Sequence, residues 1–304
     1  MSIINKIDEK TDYVGKNRFE VLLFSLGSKQ RFGINVFKVR EVLELMPLNA
    51  MPGSPEVVKG VANIRGESLP VIDLAASIGL AHEGNYSKPL LIVTEYNDNA
   101  QAFLVSSVDR ILNINWEDIS EPPVQVGGTS YVTSITKVED EIVGILDVER
   151  VMAEIIPSDD KPLPKDMVDI AKGKALGKKV LFCDDSVVAR KQVEGALKEL
   201  GYEFESFKNG QETYEHILAI QESGRDITDV YSLLVSDIEM PKMDGYTLTS
   251  NLKNHKELCK LPVILHTSMS GVFNESMVKR VGADRFLAKF KPEILASAII
   301  ELSI

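Results

Sequence analysis

The stretch LLVSDIEMPKMDGYTL, residues 233–248, decides how the second half of the chain is read. Leu233-Leu234-Val235 is an unbroken apolar run, as a strand must be when both faces of its sheet are covered. The run closes on Asp237, and a helical pattern follows from Tyr246. The same succession recurs on either side. From Lys178 onward the pattern predicts strands at Val180–Cys183, Glu203–Phe207, Ser232–Ser236, Val263–Thr267 and Arg285–Ala288. Helices are expected between and after them, at Val187–Leu200, Gln211–Gln221, Tyr246–Lys253, Asn274–Val281 and Glu293–Leu302. Alternation of this kind predicts an α/β domain, a five-stranded parallel sheet with helices on both faces.

Ligands of open α/β sheets bind beyond the carboxyl ends of the strands. Asp184-Asp185 closes the first strand, Asp237 the third and Thr267-Ser268 the fourth, and Lys289 follows the fifth. Three carboxylates, a hydroxyl and an amine are thus expected at one edge of the sheet. Crowded carboxylates repel, and a hard divalent cation such as Mg²⁺, which prefers oxygen ligands, relieves the repulsion. One carboxylate is then free to act as nucleophile toward a phosphoryl group, with the hydroxyl and the amine meeting its oxygens. A lone Asp at a strand end is more often a helix N-cap, and Asp184 and Asp185 could do only that for Val187 onward. The ordered set is much harder to obtain by accident.

The segments VLFCDDS, LLVSDIEMPKMDGYTL, LPVILHTSMS and DRFLAKF resemble the receiver domain of two-component response regulators, over Lys178–Ile304. The resemblance implies a flavodoxin-like fold with Asp237 as phosphoryl acceptor. It makes Asp184 and Asp185 the acidic pair of the Mg²⁺ site, with Glu239 giving a backbone carbonyl. It makes Thr267 the hydroxyl that follows the phosphoryl group, Lys289 its counter-charge and Phe286 a switching aromatic, although Phe286 also reads as simply core-facing. Glu239 and Met269 fall where side chains control water access. Receivers usually carry Lys-Pro after the fifth strand. Here Phe290 follows Lys289 and the proline comes at Pro292, which makes a cis bond costly and the loop altered.

The first half reads differently. Short apolar runs at Phe19–Leu26, Leu90–Thr94, Ala102–Val105 and Ile142–Leu146 are separated by turn residues, which suggests a small β-barrel or sandwich. Helical patches are expected at Val36–Leu45, Leu74–Ile78 and Val148–Ile156. No phosphate loop, catalytic triad or metal spacing is visible before residue 158, so a binding module is favoured. The segments GVANIRGESLPVIDLAASIGL (60–80), RFGINVFKVREVLEL (31–45) and GILDVERVM (144–152) resemble the CheW family of chemotaxis coupling proteins. The resemblance implies an all-β pair of SH3-like barrels, with chemoreceptor cytoplasmic tips and the chemotaxis histidine kinase as partners. Arg65, projecting from a turn with Gly66, is a candidate interface anchor or a solvated loop arginine. Val39 and Glu41, on the expected Val36–Leu45 helix, fall near the receptor groove, and Val39 also reads as core. Trp116 reads as packing.

The expected layout is a loose N-terminus over 1–16, a coupling domain over 17–157, a Pro- and Gly-bearing linker over 158–177 and a receiver over 178–304. This order resembles the CheV family. The 304 residues carry a net charge of −11, about −8 of it before Pro157 and about −3 after, so neither half presents the basic face of a nucleic-acid or anionic-membrane binder. Two unpaired cysteines and four scattered histidines give no disulfide or zinc pattern. With no signal-like or membrane-spanning run, the expected place is the cytoplasm, at receptor arrays. The expected role is a non-enzymatic adaptor, one that promotes only its own phosphoryl transfer from a phosphohistidine kinase and its own dephosphorylation. The phosphorylation would regulate coupling or drain phosphate as a sink. An aspartyl phosphatase of the haloacid dehalogenase class would want Asp-x-Asp where this chain has Asp237-Ile238-Glu239. A scaffold whose receiver is never phosphorylated is kept in view by Phe290. A transcription factor is disfavoured, no DNA-binding segment following Ile304.

Overall fold

The computed structural model describes residues 18–80, 86, 88–96, 99–115, 118–120, 122, 131–155, 162–174, 177–267, 280–289 and 292–303. The chain divides into two compact units, Met1–Pro157 and Ser158–Ile304. Trp116, Met269, Phe290 and most of the helix expected at Asn274–Val281 lie outside the described residues.

The first unit holds eleven described strands in two sheets. One sheet has the order β8-β1-β2-β11-β10-β9, built from β1 (Arg18–Ser25), β2 (Arg31–Asn35), β8 (Ser107–Asn115), β9 (Ile119–Ser120), β10 (Val132–Val138) and β11 (Glu141–Leu146). The other has the order β3-β6-β7-β5-β4, from β3 (Val39–Glu44), β4 (Val58–Ile64), β5 (Glu67–Asp73), β6 (Leu90–Tyr96) and β7 (Asn99–Val105). Each sheet folds over its own core. Val21, Leu23, Val143 and Ile145 fill the first, and Ala62, Val71, Leu91 and Val93 the second. Two short helices, α1 (Leu74–Ser77) and α2 (Val148–Ile155), fall where helical patches are expected.

The third expected patch is not a helix. A single 3-10 turn at Val36–Lys38 gives way to strand β3, which pairs antiparallel with β6. Val36, Val39 and Leu43 fit a helical period, but Val39 and Glu41 also alternate with exposed Arg40. Pairing to a neighbouring strand and the β-branched Val39 and Val42 settle the choice. Val39 is buried, so this candidate contact residue belongs to the interior.

Arg65 and Gly66, at φ 52° and 89°, form the two-residue turn of the β4–β5 hairpin, as a left-handed pair must to match strand twist. Arg65 reaches across to β3. Its Nε and Nη2 each donate at 2.8 Å to the two carboxylate oxygens of Glu41. Glu41 is nearly enclosed, its side chain 10% exposed, while that of Arg65 is 70% exposed. The hydrogen bonds from Arg65 hold the Glu41 carboxyl below its usual value, against the opposing pull of burial. A depressed folded-state pKa means that the stabilisation is complete above the ordinary value of 4.5 and is lost as pH falls through the folded value. Glu41→Gln is therefore expected to cost up to about 1 kcal/mol at neutral pH, exposure of the arginine screening the pair. In denaturation curves taken from pH 7 down to 3, wild type and variant should converge at the acid end.

The second unit is the doubly wound sheet expected. Strands β12 (Lys179–Cys183), β13 (Phe204–Phe207), β14 (Tyr231–Asp237), β15 (Val263–Thr267) and β16 (Arg285–Ala288) lie in the order β13-β12-β14-β15-β16, all parallel. All seven residues of β14 are buried. Alternate residues feed two cores. Val180, Phe182 and Val235 meet α4 (Val187–Leu200) and α8 (Pro292–Leu302), while Leu181, Leu234 and Val263 meet α5 (Gly210–Glu222) and α7 (Gly245–Asn254). A further short helix, α6 (Ile227–Val230), leads into β14. Ser186, Asn209 and Asp244 cap α4, α5 and α7 through backbone N–H groups at 3.3, 2.8 and 2.7 Å.

The stretch expected as linker is partly built into this unit. Residues Lys165–Lys174 form helix α3, with Ala171 fully buried and Met167 and Val168 packed on the α4–α8 core beside Leu163. Glu199 of α4 accepts from Leu163 N at 2.8 Å, and Lys174 Nζ donates to Ile300 O of α8 at 2.7 Å. Docking, rather than helix propensity, orders so polar a segment.

Candidate functional site

The carboxyl ends of β12, β14 and β15 bring the predicted residues to one edge. Asp184 is held by its backbone N–H on Phe207 O at 3.1 Å, and its Oδ1 accepts from Ser186 N at 2.9 Å. Capping of α4 falls to Ser186, which leaves both acidic side chains at the strand end for another task. Asp237 turns Oδ1 onto its neighbour's N–H, Ile238 N, at 2.8 Å. Lys289 Nζ lies 2.9 Å from Asp184 Oδ2 and 2.9 Å from Asp237 Oδ2, and all three side chains are almost wholly buried. Asp185 is half-buried, and one oxygen each of Asp184, Asp185 and Asp237 fall within 4.8 Å of one another.

The loop after Asp237 is tightly drawn. Gly245 N donates to Ile238 O at 2.9 Å, and an added Cβ on Gly245 would meet Asp237 O. Lys242 takes a left-handed φ of 65°, with Met243 N donating to Pro241 O at 2.7 Å across it, a three-residue turn that is rare for a side chain other than glycine. Met243 O in turn accepts from Gly210 N at 3.2 Å, tying this loop to the start of α5.

Thr267 ends β15, and its hydroxyl donates toward Glu239 Oε1 at 3.5 Å, the long limit of a hydrogen bond. Its carbonyl accepts from Lys289 N at 2.6 Å, which fixes the start of the Lys289 loop. Phe286 is half-buried beside Leu265, Tyr246, Ile238 and Val281. Cys183, next to the acidic pair, is inert: burial pushes its thiol up to about 12. One residue escapes the sequence reading. Arg190, one turn into α4, donates through Nη1 to Asp184 O at 2.5 Å and to Asp185 O at 3.0 Å. The only signal in the sequence is an arginine five residues after the acidic pair.

Chemically the edge is an all-oxygen donor set of three clustered carboxylates, with one ammonium bridging two of them. Such a set suits a small hard cation that keeps part of its water shell, and it suits no soft metal, since the only nearby thiol is buried and protonated.

Comparison with known proteins agrees with both halves. Residues 20–155 match the model of the CheW-like domain, and residues 180–300 match that of the response regulator receiver domain. The chain is 30% identical over 277 residues to chemotaxis protein CheV3 of Helicobacter pylori, covering 89% of this chain and 88% of that one. It is 26% identical over 310 residues to chemotaxis protein CheV2 of the same organism, covering 94% and 95%. Its first half is 29% identical over 138 residues to a probable chemotaxis protein CheW of Rhizobium etli, covering 44% of this chain and 88% of that one. Fold and matches together define a CheW-like domain joined to a receiver. The chain belongs to the CheV family of chemotaxis proteins. Among the described residues no helix is long and apolar enough to cross a membrane.

Proposed function

We propose that this chain is an adaptor that couples chemoreceptors to the chemotaxis histidine kinase through its first unit, and that Asp237 of its second unit accepts a phosphoryl group from that kinase. The observation that carries the reading is the Lys289 ammonium set 2.9 Å from the carboxylates of both Asp184 and Asp237. That is the counter-charge a phosphoryl group needs at the place where it would be attached.

Asp184, Asp185 and Asp237 would hold Mg²⁺, with the backbone carbonyl of Glu239 as a further oxygen. When bound, the cation offsets charge on the phosphoryl oxygens during transfer. The chain does the rest. A carboxylate oxygen of Asp237 forms the new P–O bond as the P–N bond of the phosphohistidine breaks, the electron pair leaving with the imidazole. Lys289 shifts its pairing from carboxylate to phosphoryl oxygen. Thr267 exchanges its long contact to Glu239 for a phosphoryl oxygen, and that pull at the end of β15 changes the packing of Phe286 on Leu265. Two arrangements of this cluster, biased by charge at Asp237, would be the switch. On the first unit, Arg65, exposed and anchored by Glu41, is the contact group.

The test is intact-mass detection of a phosphoryl adduct on full-length protein given Mg²⁺ and a small acyl phosphate. Wild type should gain one phosphoryl group, none when chelator is present from the start, and Asp237→Asn none. If phosphorylated kinase also leaves wild type unmodified, the protein is a static scaffold and the reading falls. Regulation and phosphate drainage are separated by reconstituted receptor–kinase complexes, since only regulation changes kinase output when the adaptor is phosphorylated in advance.

A further inference from the structure

The acidic pair sits on three residues between β12 and α4, and the Arg190 side chain braces the main chain of that connection. Arg190 lies one turn into α4, and side chains on a helix lean toward its N-terminus, so the guanidinium returns to the loop that launches the helix. There one nitrogen, Nη1, donates to the carbonyls of both Asp184 and Asp185. Two consecutive carbonyls on one planar donor fix the peptide planes between them. With Asp184 N on Phe207 O and Ser186 N on Asp184 Oδ1, the direction in which both carboxylates leave the backbone is set.

We propose that Arg190 is a positioning residue for the cation site, pre-arranging Asp184 and Asp185 so that Mg²⁺ binds without reordering the loop. The inference rests on the cation reading given above. Arg190 touches neither the cation nor the phosphoryl group. Its effect is on affinity for the cation, not on the transfer once the site is filled. Residues that orient metal ligands change affinity by roughly 10–100-fold when replaced. A lysine keeps the charge but not the planar guanidinium that holds its donor nitrogen in place, so it should fall between.

The test is calorimetric titration of Mg²⁺ into full-length wild type, Arg190→Lys and Arg190→Gln, with urea unfolding to show that each is folded. Affinity should fall by about tenfold or more in Arg190→Gln and less in Arg190→Lys. The phosphoryl adduct formed at saturating Mg²⁺ should match wild type in both. Unchanged Mg²⁺ affinity in a folded Arg190→Gln overturns the proposal, and so does an adduct that saturating Mg²⁺ fails to restore. Should Arg190→Gln not fold, Arg190→Lys decides by the same measure. A wild type that takes up no Mg²⁺ removes the cation site itself, and the positioning role with it. A wild type that binds Mg²⁺ but gains no adduct defeats the phosphorylation reading and leaves the affinity series to judge Arg190.

Discussion

Lys289→Met is expected to destabilise the second unit by about 3–5 kcal/mol at neutral pH in a chelating buffer, the usual cost of removing one partner from a buried ion pair. Here the ammonium serves two carboxylates. Its removal leaves Asp184 and Asp237, each about 3% exposed, facing one another without a cation between them. Methionine replaces the stem and not the charge, so the loss is electrostatic rather than a cavity. Two consequences separate this from ordinary core damage. Asp237→Asn in the Lys289→Met background should return most of the lost stability, because one of the two repelling charges is gone. Millimolar Mg²⁺ should stabilise Lys289→Met more than it stabilises wild type, since binding to the folded state alone adds stability by mass action. Urea unfolding of the three proteins, with and without Mg²⁺, checks both. Equal stability of Lys289→Met and wild type in chelator would mean that the ammonium does not hold the carboxylates together.

Gly245→Ala should be as damaging, through a different cause. A Cβ at this position would stand 2.1 Å from Asp237 O and 3.0 Å from both Asp237 C and Ile238 Cα. These are backbone atoms, so no side chain can swing aside, and the segment that must move carries the proposed phosphoryl acceptor. Overpacking of a well-packed interior costs typically 1–3 kcal/mol, and this contact falls at the upper end, about 3 kcal/mol. The adduct on Asp237 should fall with it, even under conditions where the variant remains folded. Gly195→Ala is the control. Gly195 lies on the exposed side of α4 with nothing within 4 Å of an added Cβ, and the change should stabilise by about 0.5–1 kcal/mol. Thermal unfolding and intact mass on both variants separate the effect of the close approach from that of losing a glycine.

The receiver was legible because its signals agree. Central parallel strands read as apolar runs, as in Tyr231–Asp237, and helical patterns alternate with them along the chain. The acidic edge was legible because strand ends are where such sheets work. Three features were not. In 36–45 the apolar spacing fits a helix and a strand alike, and only pairing with β6 decides. In 165–174 the sequence shows at most a turn of helix over Met167–Ala171, and the full helix owes its existence to a surface not displayed locally. Arg190 gives its bonds to main-chain carbonyls, which leave no partner residue to recognise. The Glu41–Arg65 pair was half visible: both residues stand out, but 24 positions separate them, and only the folded unit sets the β4–β5 turn against β3.

Helix α3 bears on where this module begins. The pattern of strand and helix starts at residue 178, and a fusion engineer would cut there. A cut at that point would strip Ala171, Met167 and Val168 from the α4–α8 face and bare the apolar surface they cover. It would also take away the backbone N–H that Glu199 accepts from and the lysine donor on Ile300 O. For shuffling receivers between proteins, the seam lies before Leu163, and the transplantable piece is a sheet with a helix stitched on ahead of its first strand.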